Sequence, residues 1–342
     1  MKGPQARVVW ARVRRRRRGL AKGVGSRRPG QEQISRRAAR PKALSADVSS
    51  ATKARKVCIV TGANSGIGLF TSVELAKRDI KVVLVCRDQR KGEKAAEEVK
   101  RKSGGKNAEL MLCDLASLKS VRAFAEEFQK THDSLHILVN NAGIANIMRR
   151  ETVDGYEATW EVNYLSPFLL TDLLLGLMKK SAPSRIVNVT SVANFSGNIE
   201  FDDLQMKNDY SVMRAYSRSK LALVLFTYEL ARRLEGTGVT ANCLHPGSVA
   251  TNIWGRPLGA ASFLGKVGRV FMTSPEEGAK TSVYLASAPE VEGVTGKYYD
   301  QIVEKRSAAA SYDEALAARL WETTLGLVGL TAKSPAGPRS AA

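Results

Sequence analysis

The fold predicted here is a doubly wound, parallel α/β sheet of about seven strands with helices on both faces. Three observations predict it. From residue 56 onward, short runs rich in Val, Ile and Leu alternate with longer amphipathic segments. The runs are apolar at successive rather than alternate positions, so both faces of each strand must be covered. A glycine-rich turn joins the first run to the first helix. Right-handed crossovers then place helices on both sides of one sheet and ligands at the carboxyl ends of its strands.

The elements follow in order. KVCIVT (56–61) reads as the first strand, with a helix from about 66 to 78. KVVLVC (81–86) and a Lys/Glu-rich helix near 88–102 come next, then AELMLC (108–113) and a helix over SLKSVRAFAEEFQK. LHILVN (135–140) is the fourth strand, before a long helix across roughly 154–180. RIVNVTS (185–191) is the fifth, followed by a helix containing YSRSK, and VTANCLH (239–245) is the sixth. GKYYD (296–300) supplies a short last strand. No internal repeat or inter-domain linker appears, so residues 55–330 are expected to form one domain. Residues 331–342, rich in Ala, Ser and Pro, are expected to be a disordered tail.

The charge is uneven. Of 53 Lys and Arg in the 342 residues, 18 fall in residues 1–56, against only Glu32 and Asp47. Residues 1–56 carry a net +16, and the remaining 286 residues only +4. The near-neutral body calls for no specific nucleic-acid partner. The leader (1–54), with five consecutive arginines at 14–18, lacks the apolar residues to offset its ordering entropy and is expected to be disordered. Its composition fits an organellar transit peptide, plastid or mitochondrial, with a basic tail touching nucleic acid or anionic lipid as the alternative; without an organellar address the protein would be cytoplasmic. No run of about 18–20 apolar residues predicts a membrane span. Cys58, Cys86, Cys113 and Cys243 lie in or at the ends of apolar runs without CxxC spacing, and read as buried free thiols. His132, His136 and His245 form no metal-ligand pattern.

The chemistry-bearing motifs sit at the carboxyl ends of the strands. TGANSGIG (61–68) is Gly62, Gly66 and Gly68 at the first strand–helix junction. Glycines there permit the tight turn and a close backbone approach to a pyrophosphate, and the helix N-terminus offers N–H groups and a positive dipole end. The second strand ends in Cys86 where a site preferring NAD would place a carboxylate, and Arg87 follows. A guanidinium pairs bidentately with phosphate, so NADP is the expected cofactor; Lys91 would add a second positive charge, and Asp88 is a counter-signal. Asp114 in CDL would lie beside an adenine. NNAG (140–143) would wall the cofactor cleft, and in HPGSVAT (245–251) Thr251 would meet the nicotinamide amide. On the helix at 215–225, Tyr216 and Lys220 are four apart and share a face.

In this order and spacing, TGxxxGxG, NNAG, Ser191, YxxxK (216–220) and PGxxxT (246–251) resemble the short-chain dehydrogenase/reductase family over essentially the whole body. ANSGIG, CRD, DLASLKSVRAF, EFDDL, YSRSKLALVLFTYELARRLEGTGVT and ARLWETTLGLVGL resemble its retinol dehydrogenase-like branch. The resemblance implies a Rossmann-type oxidoreductase using NADP(H) on a lipophilic aldehyde, ketone or alcohol, with a homo-oligomer left open. It implies Tyr216 as general acid/base, Lys220 as its partner, Ser191 holding the substrate oxygen, and Asn163 ordering a water relay beneath Lys220. For the cofactor it implies Gly62, Asn64, Ser65, Gly66, Ile67, Gly68, Arg87, Asp114, Asn141, Ala142, Gly143, Tyr216, Lys220, Pro246, Gly247 and Thr251. A free phenol has a pKa of about 10, and a nearby ammonium is expected to lower it, with help from an oxidised nicotinamide. Relatives usually show His-x-Gly-His after this asparagine and before the Phe, whereas this chain has Tyr164 and Pro167. Residues 252–275, with Trp254, Leu264, Phe271 and Met272, are expected to form an apolar lid. Two other readings keep the fold: a nucleotide-sensing or interaction protein resembling a plastid import component, and a C=C reductase resembling protochlorophyllide reductase.

Overall fold

The computed structural model describes residues 55–105, 107–247 and 274–330. The expected leader (1–54), tail (331–342), Thr251 and the 252–273 part of the lid lie outside the described residues. The strands are β1 (Val57–Thr61), β2 (Lys81–Cys86), β3 (Ala108–Leu112), β4 (Ile137–Asn140), β5 (Ser184–Val189), β6 (Val239–His245), β7 (Tyr298–Asp300) and β8 (Val303–Lys305). They form one sheet in the order β3-β2-β1-β4-β5-β6-β7-β8, parallel except for the β7–β8 pair. The expected count of about seven was one short. β8 is three residues, all exposed, of sequence VEK. An exposed edge strand needs no apolar run, and without one hydropathy has nothing to detect.

The helices are α1 (Gly66–Lys77), α2 (Gln89–Lys102), α3 (Leu118–Thr131), α4 (Ala158–Trp160), α5 (Ser166–Lys180), α6 (Val212–Arg233), α7 (Pro275–Ser287) and α8 (Glu314–Leu327). None of the described helices is long and apolar enough to cross a membrane. Alternate residues of each strand feed opposite faces. Ile59, Val83, Val85, Leu138 and Ile186 join one core with α3, α5, α6 and α8. Cys58, Val60, Val82, Leu84, Val139 and Val187 join the other with α1 and α7. This two-sided burial is why the strands read as unbroken apolar runs. All four cysteines are buried and free, as expected from their apolar settings.

The expected continuous helix over 154–180 is broken in two ways. It starts at Ala158, where the Glu157 carboxylate caps it by accepting the N–H groups of Thr159 (2.9 Å) and Trp160 (2.7 Å). Residues Glu161–Leu165 then form a π-turn before α5 resumes with Pro167 in its first turn. A π-turn inserts one residue into the helical ladder, and hydrophobic spacing does not reveal it. α8 forms a further layer over α5 and α6. Its Trp321 packs on Phe168 (4.8 Å between centroids) and Phe226 (5.7 Å), and its Thr324 hydroxyl lies 2.7 Å from that of Tyr164 in the π-turn.

β1 lies between β2 and β4, so the chain leaves it towards opposite sides of the sheet. At such a switch point the carboxyl ends of two neighbouring strands part and leave a crevice. Truncating Trp321 to Ala should cost about 3–5 kcal/mol by emptying the α5–α6–α8 contact, read as a lower denaturant midpoint; an unchanged midpoint would show that α8 is not part of the folded core.

Candidate active site

The turn after β1 is built for close approach. Gly62 has φ +64°, and its N–H donates to the Val85 carbonyl at 2.8 Å. A Cβ on Gly62 would sit 3.0 Å from the Ala142 Cα, and one on Gly68 2.5 Å from the Gly62 carbonyl oxygen. Gly66 is also left-handed, at φ +56°. Ser65, the residue before α1, makes no side-chain cap, and the first turn of α1 holds no acid. With Asn64 and the buried Ile67, these residues leave the α1 N-terminus pointed at the crevice without a carboxylate of its own.

At the end of β2 the Asp88 counter-signal has another use. Its carboxylate caps α2, accepting the Lys91 N–H at 3.0 Å, and lies 3.7 Å from the Lys91 ammonium. That backbone hydrogen bond, with Lys91's charge, holds Asp88 below the usual carboxylate range. Asp88 and Lys91 therefore serve each other, and Arg87 is the exposed cation at the strand end. At the end of β3, the Asp114 N–H donates to Ser120 Oγ (2.9 Å) and its carboxylate accepts the Ala116 N–H (3.0 Å).

Thr61, overlooked in the sequence apart from its place in the motif, fixes the loop after β4. Its hydroxyl accepts the N–H groups of Asn141 (3.0 Å) and Ala142 (3.1 Å), while Asn141 Nδ2 donates to the Thr61 carbonyl at 2.7 Å. Gly143 then passes over the buried end of the site, where a Cβ would meet Lys220 Nζ at 3.3 Å and Asn163 Oδ1 at 3.5 Å.

Four of the sequence-predicted residues meet beneath that glycine. Asn163, in the π-turn, accepts the Ile144 N–H on Oδ1 (2.8 Å) and donates from Nδ2 to the Ile144 carbonyl (2.9 Å) and Ser219 Oγ (3.0 Å). Lys220 is buried and donates to the Val189 carbonyl at 2.9 Å, its ammonium 5.6 Å from the Tyr216 ring centroid. Tyr216 is buried and hydrogen-bonded to Ser191. Burial pushes the Lys220 amine down to about 8. Burial also pushes the Tyr216 phenol above its ordinary value, with the Ser191 hydrogen bond offsetting part of the rise. The expected lowering of the phenol by its ammonium neighbour is therefore not met by the protein's own groups: desolvation outweighs them.

β6 delivers His245, Pro246 and Gly247 to the same edge, with Gly247 at φ +86°. Two neighbours of Ser191 carry bonds that sequence reasoning did not assign: Asn194, and His245 of the quoted HPG motif. Glu161 was also missed. It opens the π-turn and is fully buried, with the Thr152 and Asp154 side chains beside its carboxyl group. Burial, reinforced by the charges of Asp154 and Asp114, raises it to about 7.

A sequence profile of the short chain dehydrogenase family matches residues 56–257. The chain belongs to that family. Human retinol dehydrogenase 14 is 46% identical over 292 residues, covering 80% of this chain and 87% of that protein, which places the chain with the retinol dehydrogenase-like members. An uncharacterised protein from Mycobacterium paratuberculosis superposes with a TM-score of 0.67 at 32% identity, covering 81% of this chain and 94% of its own. A variant of actinorhodin polyketide ketoreductase, solved with NADPH, gives 0.58 at 25% identity over 72% of this chain and 95% of its own. Membership makes the protein an oxidoreductase of a family that uses NAD(P)(H), with chemistry interconverting carbonyls and alcohols.

Glu161 yields a pH test. Its folded value of about 7 lies above the ordinary 4.5, so the folded state binds the extra proton between them and stability falls as pH rises through that window. Glu161→Gln should raise the thermal midpoint at pH 8 by a few degrees relative to wild type and give no gain at pH 4. An equal gain at both pH values would show that ionisation of Glu161 is not the cause.

Proposed function

We propose that this protein is an NADP(H)-dependent oxidoreductase that interconverts a lipophilic aldehyde or ketone and its alcohol, with Tyr216 as general acid/base. The meeting of buried Tyr216, Lys220 and Asn163 with the half-buried Ser191 at the carboxyl edge of the sheet carries this reading. The crevice fits a dinucleotide, because left-handed Gly62 and Gly66 and the close-packed Gly68 make the tight turn that brings the acid-free N-terminus of α1 to the strand ends. The turn from Gly62 through Asn64, Ser65, Gly66, Ile67 and Gly68 would hold the pyrophosphate, with Asp114 beside the adenine. Asn141, Ala142 and Gly143 would wall the cleft, and Pro246, Gly247 and Thr251 would border the nicotinamide. Arg87 would take the 2′-phosphate, since Asp88 is committed to capping α2.

When bound, the cofactor supplies or accepts the hydride and, oxidised, brings the positive charge that favours the phenolate. Tyr216 hands its phenolic proton to the carbonyl oxygen during reduction and takes it back during oxidation. The Ser191 hydroxyl donates to the same oxygen as negative charge grows on it. Lys220, placed against Val189 and under Gly143, would bind the ribose hydroxyls and so hold the cofactor beside Tyr216. Asn163 fixes the loop after β4 against α6 and so keeps Lys220 and the cofactor wall in register. Exposed apolar residues beside the cluster favour a lipophilic substrate: Val192 and Phe195 follow Ser191, and Met213 lies one turn before Tyr216. The retinol dehydrogenase name of a relative agrees with that class. With NADPH in excess, reduction is the working direction.

Tyr216→Phe should fold and bind NADPH yet lose about 10²–10⁴-fold in kcat against a panel of lipophilic aldehydes. Retention of more than about a tenth of wild-type turnover would remove Tyr216 from the proton transfer. Arg87→Asp should reverse the NADPH/NADH preference in kcat/KM. An unchanged ratio would refute the 2′-phosphate role.

A further inference from the structure

Ser191 is gripped through its backbone by two side chains that the proposed chemistry does not use. Asn194 is fully buried, and its Nδ2 donates to the Ser191 carbonyl at 2.6 Å. Its Oδ1 accepts the Ala308 N–H at 2.9 Å, and its own N–H also goes to the Ser191 carbonyl at 3.0 Å. From the other side, the buried His245 at the end of β6 accepts the Val192 N–H on Nδ1 at 3.3 Å. The Ser191 hydroxyl itself accepts the Ala193 N–H at 3.2 Å, which closes the turn.

We propose that Asn194 and His245 are the positioning residues of Ser191, clamping the residue and the peptide that follows it, and that His245 does so only as a neutral imidazole protonated on Nε2. The proposal rests on reading Ser191 as the residue that holds the substrate oxygen. An imidazole accepts a hydrogen bond only through an unprotonated nitrogen, and in imidazolium both nitrogens are donors. Protonation would set a donor against the Val192 N–H and break that side of the clamp. Two charged groups face the ring from the neighbouring strands. Asp300 on β7, in register with His245, favours the imidazolium; Lys305 on β8, paired with Asp300 at 2.8 Å, opposes it. Among the described residues these are the two charges that act on the ring. Burial outweighs the Asp300 attraction and holds His245 below the usual imidazole value. The clamp is therefore closed at neutral pH and opens as pH falls below that value. Asn194 does not titrate, so its half of the clamp is independent of pH, and through Ala308 it ties Ser191 to the segment preceding α8.

Three variants of the full-length protein test this. Asn can present a carbonyl oxygen where His presents Nδ1 but does not titrate, whereas Leu offers no acceptor. In carbonyl reduction, wild-type kcat/KM should fall on the acid side of the ordinary imidazole value, while His245→Asn keeps neutral-pH kcat within about threefold and lacks that acid limb. His245→Leu and Asn194→Ala should each lose about tenfold or more in kcat at all pH values with the KM for cofactor unchanged. An acid limb unchanged in His245→Asn, or a loss confined to cofactor KM, would overturn the proposal. Independently of turnover, nitrogen NMR of the imidazoles should show His245 protonated on Nε2 and titrating below about 6.5; an Nδ1–H tautomer would overturn it. If wild type turns over no carbonyl or alcohol with either cofactor, the functional reading fails, and the NMR tautomer still decides the His245–Val192 bond.

Discussion

A buried ammonium held by a carbonyl is the constraint on which this site depends. Among the described residues Lys220 has no carboxylate partner; its hydrogen bond is to the Val189 carbonyl, and burial brings its amine to about 8. Such a charge persists in an apolar core only where backbone dipoles and neighbouring polar groups substitute for water. The surroundings are arranged accordingly. β5 offers its last carbonyl, Gly143 leaves the space above Nζ, and Asn163 holds the loop that carries Gly143. α6 is a 22-residue helix buried along nearly its whole middle, so the Tyr216–Lys220 pair rests on a rigid element.

Desolvation acts on both signs of charge in the same region. It lowers Lys220, raises Tyr216, and raises Glu161 to about 7 at the head of the π-turn that presents Asn163. Each shift favours the neutral form, and clusters of opposed shifts mark places where proton affinity has been tuned by environment. Burial outweighs the Ser191 hydrogen bond at Tyr216 and leaves the phenol above its ordinary value. The π-turn also connects the site to the far side of the helical layer. Tyr164, next to Asn163, meets Thr324 of α8, and Trp321 one turn earlier closes over Phe168 and Phe226.

Much of this was legible in the sequence. β1 through β6 were placed to within a residue or two, because two-sided burial writes an apolar run for each of them. Gly62, Gly66 and Gly68 were legible because positive φ and close approach leave glycine as the residue that fits. The Tyr216–Lys220 spacing is a property of any α-helix. By itself, then, the sequence determined the parallel α/β class, the crevice-forming turn and the face shared by the acid/base pair.

Only the tertiary structure decided the rest, since it depends on contacts between residues far apart in the chain. β8 has too little apolar character to announce itself. The π-turn changes the hydrogen-bond ladder without changing the side-chain pattern. Whether Asp88 faces a ribose or caps its own helix is a question of side-chain direction, settled by the Lys91 N–H. The direction of the Tyr216 shift follows from how much water packing excludes. The grip of Asn194 and His245 on Ser191 joins residues up to 114 positions apart, through Ala308. Local spacing fixes which groups share a helix face or a turn; burial and long-range hydrogen bonds, which no local pattern encodes, fix their charge and their aim.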